Sequence, residues 1–173
     1  MRKVIAITGA VISICVLVYL VNGIIRKTNS LKDSETQINT LPSFSFPDLN
    51  LKPFYSDSII EGPVLIVKFH PECEHCQYEL TEIFNSPIPK TGIKVLLITN
   101  AEIGKTTDYI STFELAGRNN IITLIDTAAV FGEIFGRDIV PSNFIYDRDL
   151  KLVAALFGEY KVESIMKYLG LNE

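Results

Sequence analysis

Two cysteines, Cys73 and Cys76, lie three residues apart, directly after an apolar run that begins at Val64 and breaks at Pro71. A helix-like pattern follows, so the sequence predicts a strand that leads into a helix with both cysteines in its first turn. The N-terminus of a helix has unpaired N–H groups and about half a positive charge, and both favour a thiolate. The second cysteine is close enough to form a disulfide with the first. This spacing predicts thiol–disulfide chemistry.

Two other interpretations of the cysteine pair start from the same residues. A closed structural zinc site needs four ligands, and outside this segment the sequence offers only Cys15 and no histidine. His70 and His75 would both have to fold back onto Cys73 and Cys76, which the start of a short helix hardly permits. A purely structural disulfide is disfavoured because a ring of so few residues restricts the unfolded chain little. Redox chemistry without a metal or other cofactor is therefore the favoured prediction.

The N-terminal part of the chain differs from the rest in composition. Val4 to Ile25 contains no charged residue and has two basic residues on each side. This run is long enough to cross the hydrocarbon core as a helix, so residues 1–27 are predicted to form a membrane anchor with a transmembrane helix over 4–25. A cleaved signal peptide is the alternative. It is disfavoured because the run is long for a signal peptide and Val21-Asn22-Gly23 is a poor cleavage site.

The anchor raises two further questions, lipid attachment and orientation. Cys15 follows Ile14, where a bacterial lipid-attachment site needs a small residue, so Cys15 is interpreted as a lipid-facing or packing residue. Basic residues balance across the span and do not decide its orientation. A short N-terminal tail with a single span usually leaves the C-terminal domain outside the cytoplasm. We therefore expect a single-pass protein of the bacterial inner membrane, with its domain facing the periplasm or the cell exterior.

The remainder of the chain is predicted to be a short linker and one domain. Residues 28–40 are polar and aperiodic, which is typical of a flexible linker. Residues 41–173 are enough for one domain with its own core. Beyond residue 27 the chain has all 20 acidic residues and 12 of the 16 basic ones, a net charge of −8. A domain this acidic, with no basic patch, argues against binding to nucleic acid.

Strand and helix patterns alternate along the domain. Predicted strands cover Phe44–Pro47, Leu51–Tyr55, Val64–Phe69, Val95–Thr99, Ile121–Ile125, Asn143–Tyr146 and Leu152–Phe157. Predicted helices cover Cys73–Phe84, Thr106–Ala116, Ala128–Phe135 and 162–169. The first two strands form a small hairpin, parallel crossovers follow, and an antiparallel hairpin comes last. This order predicts an α/β fold with a mixed sheet.

Two motifs in this order resemble the thioredoxin superfamily, specifically its membrane-anchored TlpA/ResA-like branch of extracytoplasmic thiol–disulfide oxidoreductases (redoxins). The first is Phe69-x-Pro71-x-Cys73-Glu-His-Cys76, and the second is GRDIVPSNFIYD over residues 136–147. The resemblance covers residues 41–173. It implies a thioredoxin-like fold with an N-terminal β-hairpin extension and an inserted αβ unit over Thr106–Ile125.

The resemblance also implies a mechanism and partners. Cys73 would attack a disulfide in a protein substrate, and Cys76 would resolve the mixed disulfide. Pro141 would be cis and lie beside the dithiol, and the backbone at Val140 would pair with an extended substrate segment. A membrane thiol–electron donor would supply the reducing equivalents.

Glu79 and the two histidines are each open to two interpretations. Glu79, one turn after Cys76, is placed to exchange a proton with it, or is a solvated helix carboxylate. His75 would stabilise a Cys73 thiolate when protonated, or faces solvent. His70, at a strand end, is structural or exposed.

The chain also departs from the family's pattern at three positions. Thioredoxins carry a buried aspartate six residues before the first cysteine, where this chain has Val67. The tryptophans that usually flank the motif are replaced by Phe69 and Glu72.

Two other classes of protein share this fold. Copper chaperones of this fold usually have Cys-x-x-x-Cys and a distant histidine, and peroxiredoxins need a Pro-x-x-x-Thr-x-x-Cys setting; the sequence has neither. A metal chaperone remains the alternative.

Glu72, Glu74 and Glu79 outnumber the single His75 near the dithiol, so negative charge disfavours the thiolate and predicts a disulfide reductase.

Overall fold

A computed structural model describes residues 38–113, 115 and 118–171, together with Tyr19 and Val21. The chain divides after residue 36, and the fold below is that of the second unit, Gln37–Glu173. The transmembrane helix predicted over 4–25, Cys15 and most of the predicted linker lie outside the described residues. Within the described ranges, no helix is long and apolar enough to span a membrane.

Strands and helices alternate, as the sequence predicted. The strands are β1 (Ser45–Pro47), β2 (Pro53–Tyr55), β3 (Val64–Lys68), β4 (Lys94–Thr99), β5 (Ile121–Ile125), β6 (Ser142–Tyr146) and β7 (Leu152–Phe157). The α-helices are α1 (Glu74–Asn85), α2 (Ile103–Ile110), α3 (Phe131–Phe135) and α4 (Val162–Tyr168). Two short 3₁₀ turns cover Ser56–Ser58 and Ile88–Lys90.

The main sheet has the strand order β5-β4-β3-β6-β7. β3 pairs in parallel with β4, and β4 pairs in parallel with β5. β6 runs antiparallel to β3, and β7 runs antiparallel to β6. β1 and β2 form a separate antiparallel hairpin. The predicted mixed sheet, N-terminal hairpin and inserted αβ unit are all present, and the inserted unit (α2 and β5) supplies one edge of the sheet.

The central strand β3 is buried on both faces, and its side chains alternate between two cores. Leu65 and Val67 pack with α1, α4 and the end of α2. Val64 and Ile66 pack on the other face with α3 and the aromatic residues of the hairpin. Complete burial of each such side chain contributes about 1.5–3 kcal/mol. The strand that leads to the cysteines is therefore held from both sides.

The helix boundaries differ from the prediction where side chains cap the ends. Cys73 was predicted to be helical but is the N-cap of α1, with an extended backbone. The predicted helix over 128–135 begins only at Phe131, because the Asp126 carboxylate accepts the N–H groups of Val130 and Phe131. Ala129 precedes this start with a φ of 54°, which is incompatible with a right-handed helix.

Two other predicted elements are shifted or shortened for local reasons. α2 spans Ile103–Ile110 rather than 106–116: the helix begins before Thr106 and gives way to turns at Ser111. The second strand loses its first two residues to a turn in which the Asp48 carboxylate accepts the N–H groups of Asn50 and Lys52. Local side chain-to-backbone bonds of this kind compete with regular structure.

Candidate functional site: a dithiol at the start of a helix

The cysteine pair lies where β3 gives way to α1. Pro71 and Glu72 form a turn after the strand, and the N–H of Cys73 donates to the carbonyl of His70 at 3.1 Å. The sulfur of Cys73 accepts the N–H of Cys76 at 3.3 Å. Cys73 thus caps α1 through its sulfur, which uses one of the N–H groups that a helix start leaves unpaired.

The two sulfurs have different surroundings. Both thiols are free, and Cys73 is partly exposed whereas Cys76 is completely buried. Burial raises the pKa of the Cys76 thiol to about 12, and its hydrogen bond with Cys73 adds to the increase. Cys76 therefore remains a thiol at neutral pH, and Cys73 is the sulfur that an incoming molecule can reach.

Glu79 is completely buried one turn after Cys76, which excludes the interpretation as a solvated helix carboxylate. Its Oε1 accepts the side-chain N–H of Asn143 at 2.8 Å, and its Oε2 accepts the backbone N–H of Tyr160 at 2.7 Å. Burial raises the pKa of Glu79, while these two hydrogen bonds oppose the increase. The charge of Glu79 in turn contributes to the raised pKa of Cys76.

Val140 and Pro141 directly precede β6, at the end of the sheet where β3 leads into the cysteine turn. The bond between them is cis, as the resemblance predicted. The next residue, Ser142, is the register partner of Lys68 at the end of β3. Pro141 itself is buried, but Val140 is 36% exposed. The register therefore brings the predicted substrate-binding segment to the strand end that leads into the dithiol.

The histidines have partners outside the dithiol. His75 is exposed, and its Nδ1 lies 2.5 Å from Oε2 of Glu159. The Nδ1 of His70 accepts the backbone N–H of Glu72 at 3.3 Å, so His70 helps to shape the turn. The predicted role of His75 at the Cys73 thiolate stays a prediction.

The charges around the dithiol are more numerous than the local sequence indicated. Lys105, on α2, donates to Glu72 at 2.6 Å. This hydrogen bond lowers the pKa of Glu72 and raises that of Lys105. Glu159 adds a carboxylate beside His75. The sequence count of three carboxylates against one imidazole omitted these two residues because they are distant in the chain.

Besides Lys105 and Glu159, four other residues of this region were missed from the sequence. Lys68 is the one charged residue of the otherwise apolar β3, and Asn143 is a polar residue in the fully buried β6. A polar or charged residue in a buried strand is the signal that could have identified them. The Tyr160 contribution is a backbone N–H, which leaves no trace in residue type. Tyr109 packs near Phe69 with ring centroids 6.1 Å apart, and burial raises its pKa to about 12, with smaller contributions from the charges of Cys76 and Cys73.

The described residues contain no group of three or more histidine, cysteine, aspartate or glutamate side chains arranged to hold a metal ion. No model of a known protein family matches the chain, and no curated protein matches it. Solved structures do match.

The matching structures include a secreted Mycobacterium tuberculosis disulfide oxidoreductase homologous to E. coli DsbE. It has a TM-score of 0.63 and 16% identity, over 79% of this chain and 98% of that one. A thiol:disulfide interchange protein from Chlorobium tepidum has a TM-score of 0.62 and 19% identity, over 77% and 94%. A thio-disulfide isomerase from Thermus thermophilus has a TM-score of 0.58 and 21% identity, over 77% and 94%. The chain has a thioredoxin-like fold, as the sequence resemblance predicted.

Proposed function

We propose that this protein is a thiol–disulfide oxidoreductase that acts on disulfide bonds in proteins. The observation that carries the proposal is the asymmetry of the dithiol at the start of α1. Cys73 is partly exposed and caps the helix through its sulfur, and Cys76 is buried directly behind it. The names of the similar structures, which include disulfide oxidoreductases and a thiol:disulfide interchange protein, agree with this function.

The reaction proceeds in two exchanges. The Cys73 thiolate attacks one sulfur of the substrate disulfide, forms a mixed disulfide and releases the other substrate sulfur as a thiolate. Cys76, as a thiolate, then attacks the sulfur of Cys73 and releases the second substrate thiolate. The substrate gains two electrons and two protons in total, and the protein is left with a Cys73–Cys76 disulfide.

The second exchange requires Cys76 to lose its proton. A thiol with a pKa of about 12 supplies little thiolate at neutral pH, so a neighbouring base accelerates the step. Glu79 is the buried carboxylate closest in sequence to Cys76, and burial raises its pKa, which makes its carboxylate a stronger base. We assign Glu79 the role of accepting this proton, and of returning it when the dithiol is reduced again.

An extended polypeptide is the substrate that the surroundings of the dithiol suit. Ile139 and Val140 are apolar yet 43% and 36% exposed, beside the buried Pro141. Backbone pairing at Val140 would align a substrate segment by strand addition, and the exposed apolar side chains would contact its alternate residues. The substrate disulfide would then lie over Cys73.

The direction and location belong to the proposal as well. We propose that the protein works as a disulfide reductase, because the buried Glu79 adds negative charge beside Cys76, and negative charge disfavours a thiolate. The charge-free run over 4–25 supports a single-pass anchor in a bacterial inner membrane, with the domain on the periplasmic or external side. A membrane thiol–electron donor would then reduce the Cys73–Cys76 disulfide.

Substitution of single cysteines in the full-length protein tests the proposal. Cys73→Ser should abolish insulin disulfide reduction, because the attacking sulfur is lost. Cys76→Ala should still attack but accumulate mixed disulfides with the substrate through Cys73, which mass spectrometry of the adducts would detect.

Cys15→Ser is the control for these two variants and should retain full activity. Adducts that persist in a Cys73→Ala variant, or loss of activity in Cys15→Ser, would contradict the assigned roles. Stoichiometric copper retained by the purified wild-type protein without disulfide exchange would instead support the metal-chaperone alternative.

A further inference from the structure

Lys68, the last residue of β3, is completely buried on the face of the sheet opposite α1. The other four residues of the strand are apolar. Its Nζ atom is buried and makes no hydrogen bond within the described part of the chain. A buried ammonium is costly unless opposite charges lie close to it. The neighbours of Lys68 therefore determine what it contributes.

Two carboxylates and one aromatic ring surround the ammonium. Nζ of Lys68 lies 3.3 Å from Oδ1 of Asp138 and 4.0 Å from Oδ2 of Asp126. The same atom lies 4.9 Å from the centre of the Phe131 ring. The ion pairs and the cation–π contact together balance the charge of the ammonium.

The two carboxylates occupy different parts of one connection, which runs from the end of β5 to the start of β6. Asp126 is buried before α3, and it accepts the N–H groups of Val130 and Phe131 at the start of this helix. Asp138 follows α3, its side chain is 43% exposed, and it lies three residues before Pro141. Lys68 thus ties both ends of the α3 connection to the central strand.

Close packing limits the position of Asp138. α3 ends at Phe135, and the next residue, Gly136, has a φ of 80° and turns the chain towards Asp138. A side chain at Gly132 would place its Cβ only 3.1 Å from Cβ of Asp138, so a larger residue at Gly132 would require Asp138 or α3 to shift. Arg137 stacks on Phe157, with its guanidinium carbon 4.6 Å from the ring centre.

The tied residues are followed at once by the exposed ones. Ile139 and Val140 are exposed, and the carbonyl of Ile139 accepts the hydroxyl of Ser142 at 2.6 Å. The exposed pair is therefore held by Asp138 on one side and by the start of β6 on the other. Lys68 also precedes Cys73 by only five residues, so one side chain connects the two parts of the site.

We infer that the Lys68–Asp138 ion pair positions the Ile139–Pro141 segment against the dithiol for the binding of a polypeptide disulfide. This inference rests on the proposed function and deepens it. Both residues are positioning residues, because neither belongs to the Cys73–Cys76 turn and they act through the backbone of the segment. A substrate that contacts Val140 depends on the ion pair, whereas a small disulfide that needs only Cys73 does not.

The test compares two substrates on the pre-reduced full-length protein. One is a disulfide-containing peptide, for which the half-saturating concentration and the maximal rate of exchange are measured. The other is the small aromatic disulfide dithiobis(nitrobenzoate), whose first exchange needs only access to Cys73. The variant is Asp138→Asn, which keeps the shape of a partly exposed side chain and removes its charge. Asp138→Glu keeps the charge.

The control is Asp149→Asn, the same chemical change at an exposed residue in the turn between β6 and β7. That turn lies at the end of these strands away from Ser142.

Asp138→Asn should raise the half-saturating peptide concentration about threefold to fivefold, the effect expected for a partly exposed ion pair. The maximal rate and the reaction with the small disulfide should remain at the wild-type level. Asp138→Glu should restore peptide binding, and Asp149→Asn should behave as wild type.

Unchanged peptide binding in Asp138→Asn, with normal exchange, would overturn the inference and leave the proposed function intact. Equal losses with both substrates would also overturn it, because they would show a general structural role. A wild-type protein that exchanges with neither substrate would overturn the proposed function, and this inference with it.

Discussion

Glu79 and Lys68 are both completely buried, on opposite faces of the same sheet, and they are stabilised in different ways. Glu79 accepts hydrogen bonds from two neutral donors, Asn143 and the Tyr160 N–H. Lys68 makes no hydrogen bond among the described residues, but two aspartates lie within 4.0 Å of its ammonium. Neutral hydrogen-bond donors thus stabilise buried Glu79, and opposite charges stabilise buried Lys68.

This difference agrees with the two roles proposed above for these residues. Neutral donors oppose the effect of burial only in part, so the pKa of Glu79 is raised and the group suits proton transfer next to Cys76. Opposite charges instead join segments of the chain, since a buried ion is expensive to leave without its partner. The face with the dithiol therefore contains a group suited to accepting a proton. The opposite face contains a group suited to holding the Ile139–Pro141 segment in place.

The largest effect is expected from removing the buried cation. Lys68→Ala should lower the free energy of unfolding by about 3–5 kcal/mol, because it leaves the buried Asp126 without its counter-charge and opens a cavity. Urea unfolding of the full-length protein would measure this loss. Lys167→Ala, at an exposed position on α4, is the matched control and should change stability little. A loss below about 1 kcal/mol for Lys68→Ala would indicate that the ion pairs are unimportant for folding.

A smaller and pH-dependent effect is expected at Glu79. At acidic pH, Glu79→Gln should be less stable than wild type by about 1 kcal/mol. The side-chain NH₂ of glutamine cannot accept a hydrogen bond, so it would face one of the two N–H groups, from Asn143 and Tyr160, that now donate to Glu79. Burial raises the pKa of Glu79, so the folded state holds the proton more tightly, and wild-type stability falls as pH rises above 4.5 towards the folded pKa. The variant cannot titrate there, so its deficit should shrink over this interval.

Urea unfolding at a series of pH values would measure this difference in slope. Parallel curves for the two proteins would show that Glu79 has an ordinary pKa in the folded state, and would remove the basis for its assignment as a base. Glu82→Gln, at a partly exposed position on the same helix, is the control and should not change the slope.

The smallest effect concerns the redox potential and distinguishes the two faces directly. A reductase should equilibrate with glutathione near thioredoxin's potential of about −270 mV rather than DsbA's of about −120 mV. Glu79→Gln removes negative charge beside the dithiol and should raise the potential by about 10–20 mV, which is under 1 kcal/mol for two electrons. Asp138→Asn, on the opposite face, should leave it unchanged. A wild-type potential above about −180 mV would contradict the reductase direction.

The sequence alone determined the fold and the position of the dithiol. The apolar run before Cys73 and the helix pattern after it predicted both β3 and α1, because strand and helix periodicity depend only on the order of residues. The two motifs, about 65 residues apart, predicted the thioredoxin-like fold and the cis bond before Pro141. Element ends were less predictable, since the Asp126 and Asp48 side chains accept nearby backbone N–H groups, and such local bonds compete with regular structure.

Only the tertiary structure decided which residues surround the dithiol. Asn143 and Tyr160 reach Glu79 from 64 and 81 residues away, and Lys105 reaches Glu72 from 33 residues away. Local patterns contain no record of such pairs, because strand register and helix packing, not sequence spacing, bring them together. The state of a titratable group depends on its burial and on these distant partners. The sequence could therefore locate Glu79 beside Cys76, but it could not decide whether that carboxylate faced solvent or the core.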